Sequence, residues 1–245
     1  MSKYQKVVVI TGAAKRVGAY MARYFHSKGC NVIIHYQRSE HEAHVLQDEL
    51  NESRSNSAKA LVGHFNSLED YTSFAAKVMA CWGKVDVLIN NASSFFPTPI
   101  GSATPDDAAG LLHSNLTMPV FLIQAMAQTL KSNQGCVINI LDIYAHSPLK
   151  DHALYCAAKA GLVSVTKSIA KDMAPQIRSN GIAPGNIMWP TDCQLNAQQK
   201  QQRLLAIPLQ RQGHPKDIAK AAYFLAFEAD YITGQILNVD GGKAL

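Results

Sequence analysis

The 245-residue sequence predicts an α/β protein: one doubly wound, seven-stranded parallel sheet with helices on both faces, in a single domain spanning 1–245. Three observations carry this. Short apolar runs rich in β-branched residues alternate with helical patterns from end to end. Those runs are apolar throughout, as strands covered on both faces must be. A glycine-bearing turn follows the first run, where a doubly wound sheet opens its ligand crevice at the carboxyl ends of its strands.

The elements follow in order. "KVVVIT" (6–11) is the first strand, with a helix from about Arg16 to Lys28 after it. "NVIIHY" (31–36) is the second, followed by a polar helix near 40–52. "KALVGHF" (59–65) and "VDVLINN" (85–91) are the third and fourth, with the helix "LEDYTSFAAKVMACW" between them. A helix over 105–131 leads to the fifth strand, "CVINIL" (136–141). "QIRSNGIAPG" (176–185) carries the sixth strand and "ILNVD" (236–240) the seventh. The long polar stretch 186–214 fits a substrate-covering lid, or equally a solvated surface helix with flanking loops.

Composition narrows the function classes. The apolar fraction of 47% and charged fraction of 17% suit a globular enzyme. The formal net charge is +5, but no run of lysines or arginines concentrates it, which argues against a nucleic-acid binder. A phosphorylated small ligand accounts for the surplus. The cysteines (Cys30, Cys81, Cys136, Cys156, Cys193) form no CxxC pair and read as free thiols. No signal-peptide pattern precedes the first strand. No apolar run approaches the roughly 20 residues of a membrane span. A soluble, cytoplasmic protein is therefore expected. His41 and His44, spaced HxxH on a polar helix, lack a third ligand, so no metal is expected.

The first turn, "VVVITGAAKRVG", places Gly12 and Gly18 between strand and helix, behind Thr11. Glycine tolerates such a turn, and the helix's free N–H groups attract a pyrophosphate. The second strand ends in His35, Tyr36, Arg38 and Ser39, where an NAD-binding protein would offer an acid to the ribose. A carboxylate repels a 2′-phosphate, whereas a guanidinium and a hydroxyl bind one, so NADPH/NADP is the expected cofactor.

Tyr155 and Lys159 are one helical turn apart on an apolar-patterned segment, so phenol and ammonium share a face. A nearby cation should draw a phenol down from its usual pKa near 10. Asp142 precedes them, in "NILDIYAHSPLKDHALYCAAK".

Thr11–Gly18, "NNAS" (Asn90–Ser93), Asn115 in a helix, Tyr155/Lys159, Pro184–Gly185 and "ITGQILNVDGG" (Ile232–Gly242) make the whole chain resemble the short-chain dehydrogenase/reductase family. The resemblance implies a Rossmann fold, hydride transfer between NAD(P)H and a carbonyl or imine, and a homotetramer. Its interface would be formed by the Tyr155 helix and the 105–131 helix. It implies cofactor contacts from Gly12, Arg16, Val17, Gly18, His35, Tyr36, Arg38, Ser39, Asn66, Asn91, Ala92, Ser93, Tyr155, Lys159, Pro184 and Gly185. Two departures stand out: Arg16 replaces the family's middle glycine, and Asn66 replaces the aspartate common after strand three.

Within the family, Arg16, "HYQRS", "NNASSFFPTP" and the Asp142/Tyr155 spacing together look like the pteridine reductases, including the dihydropteridine and dihydromonapterin type. That likeness implies Asp142, Tyr155 and Lys159 as catalytic residues. It implies Arg16, Ser93, Phe95, Asp142 and Tyr155 as substrate contacts, with the pterin stacked on Phe95. Dihydropterins would be the substrates, with oxidised pterins or dihydrofolate as further ones, in folate metabolism. Ile187 stands where relatives place a serine near the substrate. Two alternatives remain: a general carbonyl reductase acting on 3-oxoacyl thioesters or sugars, and a non-catalytic NADPH-binding regulator. Phe96 reads as packing, Asp106/Asp107 as a helix start, and Asp151 and His152 as the opening of the Tyr155 helix, none with a chemical role.

Overall fold

The computed structural model describes residues 5–189 and 195–245. Cys193 and the 190–194 part of the expected lid lie outside the described residues. Seven strands form one parallel sheet in the order β3-β2-β1-β4-β5-β6-β7. They are β1 (Val7–Ile10), β2 (Asn31–Tyr36), β3 (Ala58–Val62), β4 (Val87–Asn90), β5 (Cys136–Ile140), β6 (Arg178–Pro184) and β7 (Ile236–Val239). The order reverses between β1 and β4, which opens a crevice at the carboxyl ends of those strands.

Alternate residues of each strand serve opposite faces. Val8, Ile10, Val32, Ile34 and Ile138 pack into one core with Phe25 of α1 (Arg16–Ser27), Leu46 of α2 (Glu40–Ser53) and Ile218 of α8 (Pro215–Phe227). Val7, Val9, Ile33 and Val137 pack into the other with Phe74 of α3 (Leu68–Trp82) and Met126 of α5 (Met118–Ser132). This two-sided burial explains the uninterrupted apolar runs, since burying one such side chain stabilises by roughly 1.5–3 kcal/mol.

The expected 105–131 helix is two helices. α4 (Pro105–Leu112) starts at a capping box, in which Thr104 and Asp107 satisfy each other's backbone N–H groups. A π turn, His113–Thr117, then separates it from α5. Within that turn the buried Asn115 donates through Nδ2 to the carbonyls of Leu111 (3.0 Å) and Ser94 (2.9 Å), tying it to the loop after β4. The 20-residue α6 (Ala153–Asp172) buries Tyr155, Lys159, Val163, Thr166 and Ala170 along one stripe. Its register is set by a buried polar ladder: Asn90 donates to Asn139 (2.8 Å), Asn139 to Thr166 (2.9 Å), and Thr166 to the Leu162 carbonyl (2.7 Å).

In the 186–214 stretch, α7 (Ala197–Leu205) buries none of its residues and begins at an Asn196/Gln199 capping box. Among the described residues, no helix is long and apolar enough to cross a membrane.

Candidate active site

A cleft of about 690 Å³ lies over the carboxyl ends of the central strands. At the first turn, Gly12 takes a φ of +60°, and a Cβ there would sit 3.0 Å from the Ala92 Cα. At Gly18 a Cβ would collide with the Gly12 carbonyl and come within 2.7 Å of the Asn91 amide. Both positions admit glycine alone, so bare backbone faces the cleft at the start of α1. Thr11 Oγ1 accepts from the N–H groups of Asn91 and Ala92 (2.9 Å each), and Asn91 Nδ2 donates to the Thr11 carbonyl (2.8 Å). The two loops that would cradle a dinucleotide are thus fastened together.

Gly12, Arg16, Val17, Gly18, Tyr36, Arg38, Ser39, Asn91, Ala92, Ser93, Pro184 and Gly185, all expected cofactor contacts, line this cleft. Arg16 has a φ of +54° and donates to the Trp189 carbonyl at 3.2 Å, so it fastens the start of the 186–214 stretch over the cleft. Lys15, also on the cleft, is paired with Glu42 at 2.6 Å. Among the described residues, Asp142 is the only carboxylate in the lining. At the β2 end the lining thus offers Arg38 and Ser39 with no carboxylate among them, although Glu40 reaches Tyr36 and Glu42 holds Lys15 nearby, and this donor set fits a phosphorylated dinucleotide.

Two further expected cofactor contacts differ in placement: His35 lines the cleft with its ring bonded to protein, and Asn66 does not line it. Buried His35 accepts from the Gly12 N–H at Nδ1 (3.2 Å) and faces the Gly63 carbonyl through Nε2 (3.2 Å). Burial pushes its pKa down to about 4, so at neutral pH it is an uncharged brace under the glycine turn, with no cation to offer a phosphate. Asn66 lies outside the cleft lining; its N–H donates to Asp70 at 2.8 Å in the exposed turn before α3. Phe65, one residue earlier, lines the cleft instead.

At the end of β5, Asp142 caps a short 3-10 turn (Ile143–Ala145), with Oδ1 accepting from the Tyr144 N–H at 3.0 Å. Its Oδ2 accepts from the Tyr155 hydroxyl at 2.7 Å. Lys159 Nζ donates to the Ile140 carbonyl at 2.8 Å and lies 5.8 Å from the Tyr155 ring centroid. The three candidate catalytic groups are therefore brought together from the end of β5 and the first turns of α6.

The electrostatics of the protein alone lean towards the protonated forms of Tyr155 and Asp142. Burial, followed by the Asp142 charge, holds the Tyr155 proton more tightly than in a free phenol, and Lys159 does not reverse this. Burial likewise raises the Asp142 carboxyl above its usual range, against the Tyr144 and Tyr155 hydrogen bonds and the charges of Lys159 and Lys243. Burial brings Lys159 down to about 8. The pair is built to hold protons, as a donor in a reduction requires.

Phe95 is half exposed and meets Tyr155 edge-on, with centroids 4.8 Å apart. Its face stacks on His152 at 4.6 Å, with 16° between the planes. Sequence reasoning gave His152 no role; pairing across 57 positions leaves no periodic signal. The loops are also joined by the Thr98 N–H, which donates to the Asp151 carbonyl at 2.6 Å. Phe96 packs beside Leu111, Tyr155 and Cys156, the packing role expected of it. Ile187 is buried in the α1–α8 core and against Gly213. Its apolar side chain thus serves packing where a serine's hydroxyl could not. Lys243 gives no signal in the sequence either: it donates to the Tyr144 hydroxyl at 3.1 Å, next to Asp142.

Comparison with known proteins agrees with this geometry. Residues 12–244 match the family described as enoyl-(acyl carrier protein) reductase. The chain is 34% identical to pteridine reductase 1 of Leishmania tarentolae, across 98% of this chain and 96% of that protein. It is 30% identical to the 3-oxoacyl-(acyl-carrier-protein) reductase of Staphylococcus aureus, across 98% of both chains. To the Haemophilus influenzae protein of that same name it is 32% identical, again across 98% of both.

Proposed function

The chain belongs to the short-chain dehydrogenase/reductase family and is an NAD(P)H-dependent oxidoreductase, and on that footing we propose that it is an NADPH-dependent pteridine reductase. The observation that carries the reading is the Asp142 carboxyl, 2.7 Å from the Tyr155 hydroxyl. An oxyanion formed from a ketone needs neutral or positive donors around it, and a carboxylate in that place opposes it unless it is protonated. A ring nitrogen that must gain a proton is served by an acid relay. The likeness to a protein named pteridine reductase supports the same substrate class.

Gly12, Gly18, Arg16, Arg38 and Ser39 would hold the dinucleotide, with Arg38 and Ser39 on its 2′-phosphate. Bound there, NADPH supplies a hydride to a carbon of a dihydropterin C=N bond. Tyr155 gives its hydroxyl proton to the ring nitrogen, and the Asp142 carboxyl hydrogen passes back to Tyr155. Lys159, anchored on the Ile140 carbonyl, keeps a cation beneath the pair. Phe95, braced by His152, offers its ring for stacking, while Arg16 and Ser93 hold polar atoms of the substrate. The 186–214 stretch, tied to Arg16 at Trp189, serves as the lid. The family pattern further leads us to propose a cytoplasmic homotetramer assembled through α4–α5 and α6.

The test is to incubate purified protein with NADPH and 7,8-dihydrobiopterin or dihydromonapterin and follow cofactor oxidation. Turnover is expected; none with any pterin, together with turnover of a ketone, overturns the reading. The 3-oxoacyl reductases among the relatives favour a second reading, reduction of a 3-oxoacyl thioester. Asp142→Ser separates the two: it should lower pterin turnover, and it should raise thioester turnover only if the second reading holds.

A further inference from the structure

We propose that Lys243 is a positioning residue for proton delivery: held by the turn after β7, its ammonium acts through Tyr144 on the Asp142–Tyr155 pair and favours the anion left when a proton departs. This rests on reading that pair as the proton source.

The placement is built on both sides. Asp240 accepts from the N–H groups of Gly242 (2.9 Å) and Ala244 (2.8 Å), so its carboxylate closes a turn around Lys243. Gly241 and Gly242 have φ values of +67° and +88°, which a side chain rarely adopts. Cβ atoms there would press on Ile207 (2.8 Å) and Pro208 (3.0 Å), so the 186–214 stretch packs directly against this turn. The partly buried Lys243 reaches back 99 positions in sequence to donate to the Tyr144 hydroxyl at 3.1 Å, with its Nζ 5.4 Å from that ring's centroid. The backbone N–H of the same Tyr144 holds Asp142 Oδ1 at 3.0 Å, so Lys243 fixes the residue that carries this donor while its charge acts on the carboxyl across space.

The charged and titratable groups facing Asp142 are Tyr155 and Lys159 from α6 and Lys243 from after β7, with the Tyr144 N–H from its own turn. Lys159 is committed to the Ile140 carbonyl. Lys159 is the stronger of the two cations on Asp142; Lys243, held at the Tyr144 hydroxyl, adds a second positive charge from a different element. The protonated pair carries two hydrogens, gives one to the substrate nitrogen and keeps one with a negative charge. A proton from water restores it. A cation beside the charged state lowers the cost of that transfer. The "DGG" that ends "ITGQILNVDGG" thereby acquires a purpose, since it turns the chain so that Lys243 faces the site.

The test is the titration of the Asp142 carboxyl in cofactor-free protein labelled with 13C-carboxyl aspartate, the resonance being assigned by Asp142→Asn. Lys243→Met keeps the aliphatic stem and removes the charge. It should raise the titration midpoint by about half a unit to one unit. In turnover with NADPH and dihydrobiopterin it should move the alkaline limb to higher pH and lower kcat roughly 3- to 10-fold, with the NADPH KM unchanged. Lys243→Arg should bring both back towards the wild-type positions. An unmoved midpoint in Lys243→Met overturns the proposal, as does a Lys243→Arg protein altered as much as Lys243→Met. If Lys243→Met does not fold, Tyr144→Phe takes its place, with a smaller shift of the same sign expected and an unmoved midpoint again negative. The carboxyl titration needs no substrate. Should the wild type reduce a ketone and no pterin, the pterin reading fails, while the Lys243 effect is still decided.

Discussion

For single residues, the site turns on which group holds a proton. Tyr155 and Asp142 share one hydrogen bond of 2.7 Å inside a buried pocket, and burial favours the uncharged form of each. Tyr155→Phe removes the hydroxyl proposed to give its proton to the substrate, and kcat should fall by about 10²-fold or more while NADPH binding, followed by fluorescence, persists. Unchanged kcat with every substrate would instead point to a non-catalytic NADPH-binding protein. At the other end of the cleft, Arg38→Asp places a carboxylate where a 2′-phosphate would sit. The ratio of kcat/KM for NADPH over NADH should drop by about 10²-fold, and a ratio that stays put would remove the phosphate role from Arg38.

Among the elements, turns and helix ends place these groups. Gly18 sits where α1 presses on the first turn, and a Cβ there would meet the backbone of Gly12 and Ala13 as well as the Asn91 amide, so no swing of a side chain alone would clear it. Gly18→Ala should therefore lose NADPH binding, measured by calorimetry, and lower the Tm. The Phe95–His152 stack joins the loop after β4 to the start of α6. His152→Ala should leave Phe95 free to turn and raise the pterin KM several-fold with kcat nearly constant, a split that KM and kcat measured together will show. Much of this level was legible in the sequence. The apolar runs located all seven strands, and "LEDYTSFAAKVMACW" matches α3 residue for residue. The π turn was not legible, because it depends on Asn115 reaching the Ser94 carbonyl, 21 positions away. The His35 brace was hidden for a related reason: at the sheet's carboxyl edge, the Gly12 and Gly63 partners claim its ring before a cofactor could.

Across the whole molecule, the site should tax stability in a way that pH exposes. Below about pH 4 the Asp142 carboxyl is protonated in folded and unfolded chains alike, and it makes no difference to stability. As pH rises past that value the unfolded chain releases the proton while the folded one, with its raised pKa, retains it. Folding stability therefore falls across that window. Asp142→Asn, which keeps the shape and removes the charge, should raise the Tm at pH 7. That gain should vanish near pH 4, and a gain equal at both pH values would contradict the linkage. Activity has its own alkaline limit. Lys159 loses its charge at about 8, so turnover should decline as pH rises through that value.

Reading the chain in order was enough to reach the sheet, the glycine turn, the Arg38/Ser39 end of β2 and the Tyr155/Lys159 pair. Each of these is written in local pattern: a period of strands or helices, a missing side chain, a change of charge, or a spacing of one helical turn; Asp142 joined them only through the resemblance to the pteridine reductases. Which way the protons lean had to wait for the fold, because burial and the approach of Asp142 to Tyr155 arise from β5 and α6 packing together. The fold also made His35 a neutral brace, set His152 behind Phe95, and brought Lys243 round to Tyr144. One cause is common to all of them. Charge, solvation and contact depend on distance in space, and residues 99 positions apart leave no trace of their nearness in the order of the chain.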